Sequence, residues 1–314
     1  MIEVGSCFSD EALKFSTPSC SSTSSSAKSS CISPSPLHVP SVCNVISCLY
    51  STDLSSRKTR FIIAVTWCMS PGGPRLIVEF GSRGSANCSP RVRIGTSPGL
   101  LGRNRGRKRV ECRNSSALVS WDFSKAKFVL GCPEPVGGFY VAVSVDSECI
   151  LMLGDGERAG ESSTVNSVLV SRREELFGEG MYSTQAPFHP NGELHDIVIK
   201  YVVGTEQEKE DGNDQQKQPG STLSVYVDKK LATRVKRLQW NFRGHQTIFV
   251  DGSAIEFMWN VHDWLHNIGS GPGVFIFRTS SRVSADTERD DLNCRDNDGE
   301  DGFSLLICAN KNPS

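Results

Sequence analysis

Short runs of β-branched and aromatic residues alternate along this chain with clusters of turn-forming residues, and this pattern restricts the folds open to it. Residues 61–67 and 76–80 flank the turn cluster Pro71-Gly72-Gly73-Pro74, and Asp251-Gly252 is a strong hairpin signal. About thirteen such runs occur, with turn signals roughly every 8–12 residues, and no long amphipathic helix or repeat of fixed period is found. The sequence therefore predicts an all-β fold, a single antiparallel β-sandwich or barrel-like domain.

The composition of the two ends predicts where the folded domain begins and stops. Residues 16–41 hold 12 serines and four prolines, so residues 1–41 are expected to be a disordered Ser/Pro-rich tail. The domain is assigned to residues 42–280, with a loose polar insertion at 204–221. Residues 281–314 are predicted to be an acidic disordered segment, because eight acids lie in 281–302. The apolar residues near its end either dock on the domain or stay loose.

Two helical elements are predicted inside the domain. Ser171-Arg172-Arg173-Glu174 resembles a capping box with Gly178 as a stop, which favours one helical turn. A second short helix is predicted over residues 261–267.

Charge and cysteine content exclude several classes of protein. Lys+Arg is 34 and Asp+Glu is 35, so a globally basic nucleic-acid binder is not expected. No apolar run reaches the roughly 18 residues that span a bilayer, and no membrane partner is predicted. The 12 cysteines include no Cys-x-x-Cys pair and are read as reduced thiols. We expect a cytoplasmic or nuclear protein, with a plastid transit peptide as the alternative, because residues 12–52 lack acids.

A cluster of basic residues at 102–113 is the strongest local charge in the chain, with a net charge of +5. Clustered guanidinium groups neutralise phosphates, so the segment is interpreted as a phosphate-binding loop or a nuclear localisation signal. The alternative is a solvated loop between strands. The candidate binding residues are Arg103, Arg105, Arg107, Lys108 and Arg109.

The histidines do not complete a catalytic or metal site in the sequence. His262 and His266 are spaced for one face of a helix, but no third metal ligand is identifiable. His195-Asp196 lacks a nucleophile motif, and adjacent residues of a strand point to opposite faces. No catalytic residue, metal ligand or cofactor is therefore assigned. An enzyme whose active site is assembled from distant residues stays an alternative.

Several long motifs occur in order along the chain, among them Trp121-Asp122-Phe123, Pro133-Glu134-Pro135 and Gln239-Trp240-Asn241. Together they resemble the plant proteins grouped as "domain of unknown function 868", and the resemblance covers about residues 1–280. It implies a plant, intracellular, single-domain protein and supplies no functional residue. The basic segment 102–113 is more arginine-rich than is usual in that family, and His266 stands where the family has an apolar residue.

A second cationic group lies at residues 236–243. Strand alternation would place Lys236 with Leu238 on one face and Arg237 with Gln239 on the other, so one of the cations would be buried or line a pocket. We hypothesise that Lys236, Arg237 and Arg243 form a patch that binds an anion or a partner. The alternative is a structural salt bridge.

The leading functional prediction is a non-enzymatic interaction or ligand-binding module, whose partner is an unknown protein or small ligand. The first alternative is a nucleus-directed protein that contacts nucleic acid through residues 102–113. The second is the enzyme with a non-local active site. Salt dependence separates the first two, because phosphate contacts weaken steeply with ionic strength.

Overall fold

The largest sheet has nine strands and includes both the first and the last strand of the described chain. The computed structural model describes residues 41–54, 60–82, 90–96, 104–112, 115–155, 165, 167–190, 192–203, 220–266, 271–279 and 302–311 of the 314-residue chain, all in the unit spanning residues 38–314. These residues form nineteen strands and one short helix. They are β1 (Val42–Asp53), β2 (Arg60–Ser70), β3 (Gly73–Ser82), β4 (Arg91–Gly95), β5 (Arg105–Cys112), β6 (Ser115–Asp122), β7 (Lys127–Phe128), β8 (Pro135–Gly137), β9 (Tyr140–Val145), β10 (Glu148–Gly154), β11 (Val168–Gly178), β12 (Met181–Ala186), β13 (His195–Val202), β14 (Thr222–Val227), β15 (Lys230–Val235), β16 (Arg243–Val250), β17 (Ser253–Asn260), α1 (His262–His266), β18 (Gly273–Thr279) and β19 (Phe303–Lys311).

Period-two alternation explains why the predicted runs become strands. In β2, Phe61, Ile63, Val65 and Trp67 are buried and the residues between them are partly exposed. A two-residue turn at Pro71 and Gly72 joins β2 to β3. The two hairpins predicted around Pro71-Gly72-Gly73-Pro74 and Asp251-Gly252 are both present.

The sheets divide the chain into two halves joined by β11. The nine-stranded sheet has the order β16-β17-β18-β19-β11-β1-β2-β3-β4, and two four-stranded sheets have the orders β10-β9-β6-β5 and β12-β13-β14-β15. The all-β prediction is confirmed. One detail differs from a purely antiparallel sandwich, because β11 pairs with β1 antiparallel and with β19 in parallel.

Each four-stranded sheet packs on one half of the large sheet through aromatic side chains. In the first half, the Trp67 ring contacts Phe123 and Phe139 edge-on, at centroid distances of 6.0 and 5.8 Å. In the second half, the Trp264 ring lies 5.0 Å from that of Tyr201, and Trp264 also contacts Phe275. Each half therefore has its own aromatic cluster, and the two clusters belong to one hydrophobic core under a continuous sheet.

The two halves repeat one strand order and one hairpin. In the first half, the neighbouring strands β1–β4 are followed along the chain by the neighbouring strands β5, β6, β9 and β10. In the second half, β12–β15 are followed in the same way by β16–β19. The hairpins β5–β6 and β16–β17 each begin with an Arg-Gly pair whose glycine faces a tryptophan, so that Gly106 faces Trp121 and Gly244 faces Trp259. A Cβ atom on Gly106 would lie 2.5 Å from the Trp121 ring, and one on Gly244 would lie 2.3 Å from that of Trp259. Only glycine leaves room for the indole at these positions.

Three local predictions are wrong. Residues 303–311 are not disordered but form β19, whose alternate residues Phe303, Leu305 and Ile307 are buried between β11 and β18. Residues 171–174 form part of β11 and not a helical turn, since pairing with β1 and β19 overrides the local capping signal. Most of the basic 102–113 segment is strand β5 and not a loop. A strand can carry these cations because β5 lies at the edge of its sheet, where charged side chains stay in water.

Other predictions are outside the described residues or are present as expected. The tail over residues 1–40, the insertion over 204–219 and the acidic residues 280–301 lie outside the described residues, as does Arg103. The short helix expected after residue 261 is α1. No helix in the described ranges is long and apolar enough to cross a bilayer.

The placement of β19 predicts a contrast between two neighbouring leucines. Leu305 is fully buried in the core, whereas Leu306 lies on the opposite, half-exposed face of the same strand. We expect Leu305→Ala to lower the free energy of unfolding by about 2–5 kcal/mol and Leu306→Ala to cost clearly less. Urea unfolding followed by tryptophan fluorescence measures both. Equal, small losses would contradict a buried β19.

Candidate functional site

Two cationic surfaces lie beside the repeated hairpins, one in each half. The first is strand β5, called the basic strand here, at Arg105–Cys112. The second is the connection between β15 and β16 at residues 236–242, called the tryptophan loop, together with Arg243 at the start of β16. Both are next to the repeated Arg-Gly/Trp hairpin, and they carry the cations predicted from the sequence.

The first arginine of the basic strand is fixed by neighbours. Arg105 forms an ion pair with Asp122 at 2.7 Å, and its Nε donates a hydrogen bond to Ser124 Oγ at 3.2 Å. Partial burial raises the pKa of Asp122, but hydrogen bonds from Ser124 and the charge of Arg105 outweigh it and keep that pKa below its ordinary value. The Asp122 carboxylate is therefore ionised and holds the Arg105 guanidinium in place.

The remaining cations of the basic strand are uncompensated. Arg107, Lys108 and Arg109 are exposed, and none of them forms an ion pair with a residue in the described ranges. Strand β5 is the edge of its sheet, with β6 as its one partner in the sheet order. Three consecutive unpaired charges on an edge give a local positive field.

Backbone hydrogen bonds and a buried anchor hold the tryptophan loop. The Leu238 side chain is fully buried, and its N–H donates to the Ser221 carbonyl at 2.9 Å. The N–H groups of Trp240 and Asn241 donate to the Arg237 carbonyl, and Asn241 Nδ2 donates to the Lys236 carbonyl at 2.8 Å. The loop thus presents Trp240, which is 75% exposed, on a defined backbone.

The cations of this loop do not follow strand alternation. Strand β15 ends at Val235, so Lys236 and Arg237 lie in the loop, where Arg237 has a φ of 53°. Lys236, Arg237 and Arg243 are all exposed, so the first of the two expectations, that one of the cations is buried, is wrong. Arg243 Nε donates to Asn260 Oδ1 at 3.0 Å, and no described carboxylate pairs with any of the three.

The histidines are occupied by structural contacts. His195 Nδ1 lies 2.7 Å from Asp228 and Nε2 lies 3.7 Å from Asp251, so the partner of this ring is not the adjacent Asp196. The hydrogen bond from His195 is the main reason that the pKa of Asp228 lies below its ordinary value, and the Asp196 N–H adds to it. Within the described ranges, His262 and His266 belong to no group of three metal-ligating residues.

The sequence analysis missed a buried polar cluster on the core face of β11. Arg172 forms ion pairs with Glu174 at 2.6 Å and with Glu134 at 2.8 Å, and Thr184 donates a hydrogen bond to Glu174. Burial favours the neutral form of Arg172, but the two carboxylates outweigh it and raise its pKa. Burial also raises the pKa of the nearby Cys48 thiol to about 11, so this thiol stays protonated and unreactive. The i, i+2 spacing of Arg172 and Glu174 was the available signal, once the run is read as a strand.

A comparison with protein-family models finds a match over most of the chain. The family model described as "Plant protein of unknown function (DUF868)" matches residues 41–311, which span both halves of the fold. The motifs predicted this family over residues 1–280, whereas the match begins at residue 41 and extends through β19. No curated protein and no solved structure matches the chain.

The buried cluster predicts unequal costs for two charge removals on β11. Glu174→Gln leaves the buried Arg172 guanidinium without its closest counter-ion, and we expect a loss of about 3 kcal/mol in the free energy of unfolding. Glu175→Gln breaks only the exposed pair with Arg173, so about 0–1 kcal/mol is expected. Denaturant unfolding of both variants tests this. A Glu174 variant as stable as the Glu175 variant would show that the cluster is not a stabilising element.

The His195 contact predicts a pH-dependent effect of Asp228. Its pKa is lower in the folded protein than in the unfolded chain, so the ionised carboxylate stabilises the fold above about pH 4 and this contribution is lost as the pH falls further. We expect Asp228→Asn to lower the melting temperature at pH 7 and to have a smaller effect at pH 3, which lies below the ordinary pKa of Asp. Asparagine tolerates the positive φ of 49° at this turn. Asp251→Asn, at an equivalent turn conformation with the longer contact, is the control and is expected to change less.

Proposed function

The chain belongs to the DUF868 family of plant proteins of unknown function, and from that premise we propose that it is a non-enzymatic interaction module that binds an acidic partner protein through the tryptophan loop. The observation that carries this proposal is the Trp240 side chain, which is 75% exposed on a loop whose backbone is held in place. Tryptophan and arginine are the residues most enriched among those that dominate protein–protein binding energy.

The fixed backbone of the tryptophan loop supports a role in binding and not a purely structural one. The buried Leu238 and the backbone hydrogen bonds already fix the loop, so a partner would not have to order it. The Trp240 ring contributes little to the core, since most of its surface faces water. Leaving a large apolar side chain in water has a free-energy cost of about 1.5–3 kcal/mol relative to burial, which a partner surface would recover.

The charge of the loop indicates the chemistry of the partner. Residues 236–243 contain Lys236, Arg237 and Arg243 and no acidic residue. No described carboxylate forms an ion pair with any of the three cations. A partner surface rich in Asp and Glu around an apolar pocket would complement both the charges and the indole.

A second candidate function rests on the basic strand. Arg107, Lys108 and Arg109 are consecutive, exposed and unpaired within the described part of the chain, which suits contact with nucleic-acid phosphates. This contact would be independent of sequence, since the strand offers no side chain placed to read base edges. It would weaken steeply between low and physiological salt.

Substitution of Trp240 tests the proposal against a matched control. Phe249 is 73% exposed on β16, outside the cationic loop, so Phe249→Ala removes a comparable exposed aromatic ring. We expect Trp240→Ala to reduce capture of nuclease-resistant partners from plant extract at least about tenfold, with Phe249→Ala unchanged. Because both side chains are exposed, melting temperatures should stay the same.

Three other outcomes would count against the tryptophan loop. Equal losses from both variants would show that the effect is not specific to the loop. Partners that disappear on nuclease treatment would favour the basic strand instead. Recovery of the protein alone under all conditions would contradict both candidate functions.

A further inference from the structure

An open groove of about 380 Å³ lies on the face of the β5-β6-β9 sheet that points away from the core. It is called the arginine groove here. Strand register places its side chains on one face, because Arg107 pairs with Ser120 and Asp122 pairs with Tyr140. The residues used below are Arg105, Arg107, Leu118, Ser120 and Tyr140.

The polar groups of the groove have unused bonding capacity. The Arg107 guanidinium has no ion pair within the described ranges. The hydroxyl groups of Ser120 and Tyr140 make no side-chain hydrogen bond to any described residue. One guanidinium with several free N–H donors and two hydroxyls therefore line the same open space.

Arg105 has a different role from Arg107. Its charge is balanced by Asp122, and Ser124 accepts its Nε–H, so its guanidinium is fixed at the rim of the groove. A fixed, hydrogen-bonded arginine beside a free one is suited to orient a ligand with several acceptor oxygens. The excess charge inside the groove is the single positive charge of Arg107.

We propose that the arginine groove is a binding site for a small phosphomonoester. The phosphate group carries about −1.5 to −2 charge and three acceptor oxygens at pH 7, and the planar guanidinium of Arg107 binds two of them side by side. The hydroxyls of Ser120 and Tyr140 donate to the remaining acceptors. Leu118 and the Tyr140 ring supply apolar surface for the organic part of the ligand, and the groove volume is in the usual range for small-ligand sites.

Protection of the sheet edge does not account for this arrangement. Charged residues on an edge strand prevent pairing with other chains, and Lys108 and Arg109 meet that need on β5. Edge protection requires neither the Ser120 hydroxyl on β6 nor the Tyr140 hydroxyl on β9. The register places both hydroxyls on the face of Arg107, which indicates a ligand on that face.

Calorimetric titration of the full chain tests the proposal with four probes: AMP, glucose 6-phosphate, inorganic phosphate and adenosine. We expect AMP, glucose 6-phosphate or both to bind at least about tenfold more tightly than adenosine, because the phosphate carries the recognition. Whether AMP or the sugar phosphate binds better identifies the organic part. Binding of inorganic phosphate alone would show an anion site without a ligand groove and would overturn the proposal.

Two arginines on the same strand provide the matched variants. Arg107→Gln is expected to weaken phosphomonoester binding at least about tenfold, whereas Arg109→Gln, on the same face but outside the groove lining, should leave it unchanged. Ser120→Ala, which removes one hydroxyl, should weaken binding by a smaller factor. Both arginines are exposed, so unchanged melting temperatures confirm that the variants fold. Equal losses from the two arginine variants, or binding that survives Arg107→Gln, would overturn the proposal.

Discussion

The ion pair between Arg172 and Glu174 on β11 is the interaction on which the two-half architecture depends. Strand β11 joins the halves by pairing with β1 on one side and β19 on the other. Glu134, which precedes β8, and Thr184 of β12 reach the same pair from opposite halves. Because a one-residue slip of a strand moves every side chain to the other face, the pair specifies the register of β11: any slip would separate the charges from their partners.

Because the core of the fold is filled with packed side chains, the candidate binding residues lie on edge strands and turns. The sheets are filled by alternating apolar residues and by the aromatic clusters around Trp67 and Trp264. Two groups of cations without an ion pair among the described residues lie on the edge strand β5 and on the tryptophan loop. Binding residues on connections and edges of a stable sheet are common in β proteins.

The sequence predicted those parts of the fold that depend on nearby residues. The β2–β3 and β16–β17 hairpins follow from β-branched runs around a two-residue turn. Strand β19 was missed because its partners are distant, as in the pairing of Ser171 with Ser304, and because the acidic residues before it dominate the local composition. The cations were identified as residues, whereas the alignment of Ser120 and Tyr140 with Arg107 depends on strand register, which no local pattern supplies.

The internal repeat shows how the two halves have diverged in chemistry. In the first hairpin, Arg107 faces Ser120, and Tyr140 lies across from Asp122. At the corresponding positions of the second hairpin, His245 faces Met258, and Val274 lies across from Asn260.

The second hairpin therefore has the same backbone and the same Gly/Trp contact but lacks the hydroxyls and the free guanidinium of the groove. The first arginine of each hairpin also has a different partner. Arg243 is hydrogen-bonded to the neutral Asn260, whereas Arg105 forms an ion pair with the Asp122 carboxylate. The charge of Arg243 is consequently left for the adjacent tryptophan loop, whereas the first hairpin concentrates its free charge on Arg107. One repeated hairpin thus carries the proposed small-ligand groove in the first half and the proposed docking loop for a partner protein in the second.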